Sequence, residues 1–401
     1  MTDLFWPGDQ RAGELMSDSA FLTAMTTVEQ SWLDGLLETG IAPPGARANL
    51  SELLDDGDAE MIAAGADSDG NPVTGLVALL RRRAPESTAR WLHRGLTSQD
   101  VVDTALMLCV RDVLTRIGDE LTDQVRALST LAETHRSTPI LARTLTQAAL
   151  PSTVGVKVAH WLSGVVEVAE PVAGLRAALP VQVGGAAGTL AAATELAGSI
   201  DGAIALSDSL AAALGLAAAP PWHTTRSTVT RIGDTLVTCC DAWGHIAADV
   251  VTGSRPEIGE LVEADGGGSS TMPHKSNPVR SVLIRRAALT AGPLAATLHT
   301  AAATSVDERS DGAWHTEWAT LRTLARHTVV AASHTSELLS GLRVDAERAA
   351  ANLAAAMGVL SEQQTMTELT GRPAFPGYTG AAEQLVDSAL QCARDYLKDT
   401  P

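Results

Sequence analysis

The sequence predicts an all-α fold, and the prediction depends on composition, helical periodicity and the placement of helix breakers. Hydrophobic residues make up 45% of the 401 residues, but aromatic residues make up only 3%. Abundant alanine and leucine favour helices packed on helices, whereas β-sandwiches are typically rich in β-branched and aromatic side chains. A chain of this length can bury a large core in two or three domains.

The clearest helix is predicted between Thr97 and Arg136. Its start has the capping-box pattern, in which a threonine hydroxyl can accept a backbone hydrogen bond while Asp100 reaches back. Apolar side chains recur in steps of three or four, which places them on one helical face: Val102, Leu106, Cys109, Val113, Ile117, Leu121, Val125, Leu128 and Leu131.

Four further helical segments are predicted, each bounded by proline or glycine clusters. Shorter helical pieces are expected after Arg326. The four segments cover residues 151–179, 188–216, 228–251 and 279–303.

Charge and cysteine content exclude several classes of protein. The net charge of -18, from 29 Lys and Arg against 47 Asp and Glu, opposes binding to nucleic acid or to an anionic membrane. No signal peptide or membrane span is predicted, so a cytoplasmic location is expected. The four cysteines form no C-x-x-C pair, and no nucleotide-binding glycine motif occurs, so we expect no metal site, no disulfide framework and no cofactor.

One stretch, "GGGSSTMPHKSNP" at residues 266–278, interrupts the helical pattern. Three glycines allow backbone freedom and close approach, and the hydroxyls of Ser269 and Ser270 are hydrogen-bond donors. Lys275 adds a compact cation, with the Asn277 amide beside it. A flexible surface linker would explain the glycines, but not the Lys-Ser-Asn-Pro run that leads directly into the next helix. The stretch therefore predicts a mobile loop that binds an anion.

The run "GSSTMPHKSNP" resembles the signature loop of the fumarase/aspartase superfamily. Members of this superfamily eliminate across a C–C bond beside a carboxylate, or run the reverse addition. Five further segments resemble its branch of bacterial 3-carboxy-cis,cis-muconate cycloisomerases: "WPGDQRAGELMSD", "HRGLTSQDVVDTAL", "QVGGAAGTLA", "WHTTR" and "DERSDGAWHTEW".

The resemblance implies a three-domain fold with a long central helical bundle. The corresponding domains are residues 1–96, 97–326 and 327–401, and the last is shorter than is usual in the family. The resemblance also implies a homotetramer in which each pocket takes one region from each of three chains. The implied substrate is a small dicarboxylate or tricarboxylate anion.

The resemblance further implies which residues form the site. Ser269 corresponds to the catalytic serine, and His93 lies where the adenylosuccinate branch also has a histidine, although an ordinary half-buried histidine before a helix is an equally good interpretation. The substrate carboxylates would be bound by Thr97, Ser98, Gln147, Ser270, Lys275 and Asn277. No metal is required, because the lysine and backbone amides can stabilise the developing negative charge.

Two departures from the family pattern bear on the reaction. Fumarases and adenylosuccinate lyases pair a histidine with a glutamate, but the corresponding residues here are Leu145 and Val282, as in the cycloisomerases, where that histidine is also replaced. Ser276 stands where arginine is commoner and removes a positive charge beside the loop lysine. Arg226 and Arg309 are candidates to balance a trianionic substrate, or are ordinary surface charges.

The resemblance implies the conversion of 3-carboxy-cis,cis-muconate to carboxymuconolactone. Two alternatives stay open. A superfamily lyase that releases a different small group from a succinate-like substrate would share every loop residue named above. A descendant without enzymatic activity would have little reason to keep the hydroxyl donors and the loop lysine.

Overall fold

The computed structural model describes residues 3–264, 266–268, 270–272 and 274–399, and within them the chain is predominantly helical. The all-α prediction is confirmed, although four short strands also occur. The α-helices of the described residues are α1 (Asp18–Glu38), α2 (Asp58–Asp69), α3 (Pro72–Arg83), α4 (Glu86–Ala89), α5 (Ser98–Thr134), α6 (Val154–Ala177), α7 (Ala191–Ala197), α8 (Ile200–Leu214), α9 (Ser227–Gly253), α10 (Val279–Ala303), α11 (Gly312–Gly341), α12 (Ala346–Ala355), α13 (Ser361–Thr370) and α14 (Ala382–Asp399).

Most of the long helices coincide with the predicted segments. Helices α5, α9 and α10 match their predicted bounds to within a few residues. The apolar stripe of α5 is buried from Val102 to Leu128, and Leu131 is half-buried. Within the described residues, no helix combines the length and apolarity needed to cross a membrane.

Two predicted helical segments need correction. The segment 188–216 contains two helices, α7 and α8, because Gly198 adopts a left-handed conformation with φ 71° and ends the first. The shorter helices predicted after Arg326 occur as α12, α13 and α14, but they begin later than expected. Helix α11 continues to Gly341, since no proline or glycine interrupts residues 313–340.

A β-hairpin precedes α6 and was not predicted. Strand β1 (Pro139–Thr144) pairs antiparallel with β2 (Gln147–Thr153), and the two-residue turn consists of Leu145 and Thr146. Both turn residues have positive φ, 48° and 70°, as in the type I′ turn that joins tightly twisted strands. Strand β3 (Leu261–Val262) lies just before the glycine-rich loop in the sequence and pairs antiparallel with β4 (Arg343–Val344), which follows α11.

The chain forms two compact units. Unit 1 comprises Met1–Thr115, Ala173–Asp234 and Pro293–Arg326, and unit 2 comprises Arg116–Val172, Thr235–Gly292 and His327–Pro401. The three-domain division at residues 96 and 326 stays a prediction.

In each unit a buried tryptophan of the core has its indole N–H paired with a hydrogen-bond acceptor. In unit 1 the buried Trp32 donates its indole N–H to the Arg94 carbonyl at 2.7 Å. In unit 2 the buried Trp243 donates to the side-chain oxygen of Gln124 at 2.7 Å, and the Gln124 amide donates to the Ala332 carbonyl at 3.1 Å. Buried polar side chains of this kind are costly unless paired, so these bonds help to specify one packing arrangement.

Candidate active site

The start of α5 in unit 1 carries the predicted pair Thr97 and Ser98, both half-buried. The Asp100 carboxylate accepts the Thr97 backbone N–H at 2.9 Å, which confirms the half of the capping box that the carboxylate was expected to supply. The Thr97 hydroxyl accepts a hydrogen bond from the Arg309 guanidinium. Of the two candidate cations, Arg309 is therefore the one that contacts a predicted site residue.

Asp100 connects this helix start to the "QVGG" segment. It is fully buried and also accepts hydrogen bonds from the Gln182 side chain at 3.1 Å and from the backbone N–H groups of Gly184 and Gly185, both at 2.9 Å. Burial raises the pKa of the Asp100 carboxyl to about 6, and the four hydrogen bonds oppose that rise. Since all four partners are donors, the ionised carboxylate is the form that matches this geometry.

Three of the quoted motifs meet beside this helix start. The Gln99 amide donates to the His223 carbonyl at 2.7 Å, which joins the "TSQD" and "WHTTR" segments. The His223 ring packs directly on Gly188, where φ is 73° and a Cβ atom would lie 1.9 Å from the imidazole Cε1. Only glycine fits at residue 188 for this reason. Burial lowers the pKa of His223, which favours the neutral ring.

Arg226, the second candidate cation, is neither a surface charge nor available to a substrate. It is buried and forms ion pairs with Asp103 at 2.7 Å and with Glu317 at 2.5 Å. Burial alone would lower the pKa of Arg226, but the two carboxylates raise it. Trp314 donates its indole N–H to Asp103 at 2.9 Å and completes the cluster. This cluster has a structural role, because one cation is matched by two carboxylates with bidentate geometry.

His93 lies four residues before Thr97 and is paired with a carboxylate that the sequence did not reveal. Its Nδ1 lies 2.6 Å from Oε1 of Glu29, a residue of α1 that is buried. The His93 backbone has φ 57°, a left-handed conformation that is uncommon for residues other than glycine. No local pattern could have found this pair, since 64 residues separate its members.

Gln147 lies at the tip of the hairpin in unit 2. Its side chain is exposed and donates to the Thr146 hydroxyl at 3.3 Å. Leu145, beside it in the turn, is 96% exposed. The hairpin is anchored close to its turn, where Arg143 forms a bidentate ion pair with the buried Glu260 at 2.8 and 2.9 Å.

The glycine-rich loop is closed at its base by two backbone hydrogen bonds between Gly267 and Asn277, each 2.8 Å long. Ser270 and Lys275 are exposed, and Asn277 is half-buried with its amide 3.3 Å from the Gly267 carbonyl. A Cβ atom at residue 267 would lie 2.1 Å from a methyl carbon of Val279, so glycine is needed for this close approach. Ser269, the predicted catalytic serine, lies outside the described residues.

The end of the loop is fixed by a carboxylate that sequence reasoning missed. The buried Glu263 accepts hydrogen bonds from the backbone N–H of Arg280 at 3.2 Å and of Ser281 at 2.9 Å, and from the Ser281 hydroxyl at 2.6 Å. A carboxylate at a helix N-terminus satisfies free N–H groups and matches the helix dipole. Val282, one residue further along α10, is 52% exposed.

The predicted site residues thus fall into two groups. His93, Thr97 and Ser98 belong to unit 1, where Arg309 joins them, whereas Gln147, Ser270, Lys275 and Asn277 belong to unit 2. Both residues at the usual histidine and glutamate positions, Leu145 and Val282, are exposed apolar side chains. Hydroxyl, amide and cationic donors in these groups are the chemistry that binds carboxylates.

Comparison with known proteins places this arrangement in a family. A family model described as lyase matches residues 46–291. The nitrosuccinate lyase of Streptomyces davaonensis is 42% identical over 366 residues, which are 88% of this chain and 77% of that protein. The 3-carboxy-cis,cis-muconate cycloisomerase of Pseudomonas aeruginosa is 36% identical over 394 residues, which are 95% of this chain and 84% of that protein.

A solved structure of a related enzyme has the same fold as this chain. The crystal structure of the 3-carboxy-cis,cis-muconate lactonizing enzyme from Pseudomonas putida has a TM-score of 0.87 and 29% identity, and the match covers 96% of this chain and 97% of that chain. The fold and the loop thus define an α-helical enzyme of the lyase type. The chain belongs to the lyase family of the matching model, within the fumarase/aspartase superfamily.

Proposed function

We propose that the protein eliminates nitrite from nitrosuccinate and leaves fumarate. The observation that carries the proposal is the apolar character of Leu145 and Val282, which replace the histidine and glutamate of other superfamily members. Neither side chain can protonate a leaving group. Nitrite is a stable anion and leaves without protonation, whereas an amine or a hydroxide does not. The higher identity to nitrosuccinate lyase than to the cycloisomerase supports the same choice.

The reaction is a β-elimination across the two central carbons of the substrate. A base removes a proton from C3, the C3–H electron pair becomes the C2–C3 double bond, and the C2–N bond breaks with its electrons leaving on nitrite. One substrate dianion thus yields fumarate, nitrite and one proton. The family resemblance assigns the base to Ser269, which must lose its own proton first and therefore needs nearby cations and N–H groups.

The donors around the site would stabilise the charge that develops before nitrite leaves. Removal of the C3 proton places negative charge on the adjacent carboxylate. The hydroxyls of Thr97 and Ser98, the Lys275 ammonium and the Asn277 amide can donate to its oxygens, and the N-terminus of α5 adds free N–H groups. Loss of one such donor typically costs about 100-fold or more in turnover.

Ser276 also favours a dianionic substrate over a trianionic one. The commoner arginine at this position would place a second cation beside Lys275, and the serine removes it. If different copies of the chain supply them to one pocket, Arg309 and Lys275 provide one cation for each of two carboxylates. A third carboxylate would remain without a matched charge and would be costly to desolvate.

We further propose that the active form is a homotetramer with shared sites. An exposed leucine at a strained hairpin turn and an exposed valine on α10 are poor surface residues for a monomer. A second copy of the chain packed against these surfaces would bury both Leu145 and Val282. The split of the predicted site residues between the two units agrees with pockets built from more than one chain.

Lactonization of 3-carboxy-cis,cis-muconate is the second candidate. It is favoured by the match to the cycloisomerase relative and to the lactonizing enzyme structure. In that reaction a carboxylate oxygen of the substrate adds to its own double bond and a proton is delivered to the carbon beside another carboxylate. This addition also needs no acid for a leaving group, so Leu145 and Val282 are compatible with it.

The test incubates the purified protein with each substrate without added metal or nucleotide. With nitrosuccinate we expect nitrite, measured colorimetrically, and fumarate, measured by chromatography, in equal amounts. An enzyme-free sample measures spontaneous breakdown. With 3-carboxymuconate the loss of ultraviolet absorbance is followed in parallel.

Two variants control for contaminating activity. Lys275→Ala should lower nitrite release by about 100-fold or more, because it removes a carboxylate donor. Lys398→Ala, which removes an exposed lysine near the end of α14, should leave it unchanged. Rapid loss of carboxymuconate without nitrite release would favour the second candidate, and inertness toward both substrates would refute both proposals.

A further inference from the structure

The His93–Glu29 pair is a titratable pair of unit 1 that the proposed reaction leaves unused. Glu29 lies on α1 with its side chain 1% exposed, whereas the His93 side chain is 17% exposed. The 2.6 Å contact joins Glu29 Oε1 to Nδ1 of the ring. A carboxylate accepts and does not donate, so this contact places a proton on Nδ1.

The backbone around His93 is held by other residues. Arg81 donates to the Leu92 carbonyl at 2.7 Å, and the Trp32 indole donates to the Arg94 carbonyl at 2.7 Å. These two bonds flank His93 on both sides along the chain. The contact with Glu29 is therefore not needed to hold the segment in place. Its effect is on the imidazole ring, whose orientation and proton position it fixes.

Two features of the pair are costly for a purely structural contact. The backbone of His93 is in the left-handed region with φ 57°, where a residue with a Cβ atom is strained. In the part of the chain that the structure describes, Oε2 of Glu29 is buried without a hydrogen-bond partner. A neutral or apolar side chain would be cheaper to bury at residue 29. Strain and unsatisfied groups of this kind concentrate at functional sites.

The other ring nitrogen takes no part in the contact with Glu29. Among the described residues, Nε2 of His93 has no hydrogen-bond partner, and His93 lies in the segment that ends in Thr97 and Ser98. We propose that Glu29 is a positioning residue that holds the proton of His93 on Nδ1, so that Nε2 faces the substrate as a proton acceptor. The proposed elimination releases one proton per turnover, and an unprotonated Nε2 can carry that proton away from the site.

The pair can be tested directly on the wild-type protein by solid-state nuclear magnetic resonance. The protein is labelled with ¹⁵N in the histidine rings, and the His93 signals are assigned as those lost in His93→Gln. At a pH where the ring is neutral, we expect the proton on Nδ1 in the wild type and a mixture of both tautomers in Glu29→Gln. A proton on Nε2 in the wild type, or an unchanged tautomer in Glu29→Gln, would overturn the inference. This measurement requires no turnover, so it is independent of the proposed function.

A double-mutant cycle then tests the effect on the reaction and rests on the proposed function. Glu29→Gln should lower kcat/KM for nitrosuccinate by roughly 10- to 100-fold, as for other residues that orient a functional histidine. In the His93→Gln background the same change should cost less than about twofold, because Glu29 acts only through the ring. Asp58→Asn, which removes another buried, ion-paired carboxylate of unit 1, should leave kcat/KM near the wild-type value.

The outcomes separate the two claims. Equal losses from Glu29→Gln in both backgrounds would mean that Glu29 acts independently of His93, which contradicts the inference. A wild-type protein that consumes neither substrate would refute the proposed function, and the tautomer measurement would still decide the role of Glu29.

Discussion

Replacement of Asp100 by asparagine should change the pH dependence of both stability and activity. The carboxylate accepts four hydrogen bonds, two on each oxygen: Oδ1 from Gln182 and Gly184, and Oδ2 from Thr97 and Gly185. An asparagine NH₂ group in place of either oxygen would face two donors and leave both unsatisfied. Such a loss costs roughly 1–3 kcal/mol for each buried group.

The sign of the pH effect follows from the raised pKa. Burial raises the pKa of Asp100 from its ordinary value of 3.8 to about 6. Between these values the folded chain holds a proton that the unfolded chain has released. The contribution of Asp100 to stability is therefore greatest below pH 3.8 and is lost as the pH rises to about 6. At 1.36 kcal/mol per pH unit, the whole window is worth about 3 kcal/mol.

The assay measures the Tm of the wild type and of Asp100→Asn across this window at one protein concentration. Asparagine does not titrate, so the advantage of the wild type should shrink by several degrees as the pH rises from 4 to 7. Asp58→Asn is the matched control, and its Tm difference from the wild type should stay nearly constant between pH 4 and 7. A hydrogen bond from Arg83 lowers the pKa of Asp58, so this carboxylate stabilises the protein above pH 3.8 and loses its effect as the pH falls.

Lowering the pH should reduce activity, although it increases the contribution of Asp100 to stability. Protonation of Asp100 weakens the hydrogen bond that it accepts from the Thr97 backbone N–H, so kcat/KM of the wild type should fall about tenfold or more below pH 6. Asp100→Asn should be impaired at every pH. A Tm difference that stays flat between pH 4 and 7, as expected for Asp58→Asn, would refute the assigned role of Asp100.

Three further predictions concern the residues taken from the family resemblance. Ser269→Ala should lower turnover by about 100-fold or more with little change in Tm, and near-normal turnover would remove this hydroxyl from the mechanism. Leu145→His alone should create neither fumarase nor adenylosuccinate lyase activity, because Val282 offers no carboxylate to orient the ring; a gain of either activity in a standard absorbance assay would contradict this. Ser98→Ala and Lys275→Ala proteins, each inactive, should regain part of the activity when mixed and reassembled, because some pockets then combine intact regions from different chains. Verified mixed tetramers that stay inactive, or an active monomer by light scattering, would count against shared sites.

Local patterns in the sequence determined the helices and the family. The stripe from Val102 to Leu128 predicted α5, and the prolines and glycines around residues 279–303 predicted α10 with its observed bounds. Both signals arise from neighbours three or four residues apart or from breakers, which act on the backbone locally. The loop at 266–278 was found because its composition contrasts with the helices around it.

The same local signals failed where distant residues decide the structure. The hairpin at 139–153 has short strands with an irregular register between Leu141 and Arg143, and its anchor, Glu260, lies 117 residues beyond Arg143. The alternation of apolar and polar residues in such short strands is weak. It cannot be recognised in the sequence without knowing the distant residue that stabilises the hairpin.

The roles of the charged residues were likewise decided by tertiary structure. Sequence reasoning treated Arg226 and Arg309 as equivalent candidates, yet Arg226 is neutralised by Asp103 and Glu317 while Arg309 reaches Thr97. The resemblance alone indicated His93 but not the carboxylate that orients it. The sequence by itself thus determined which segments are helical and which residue types the site contains. Only the folded chain determined which of those residues are paired, because charge pairing depends on distances between elements that lie far apart in the sequence.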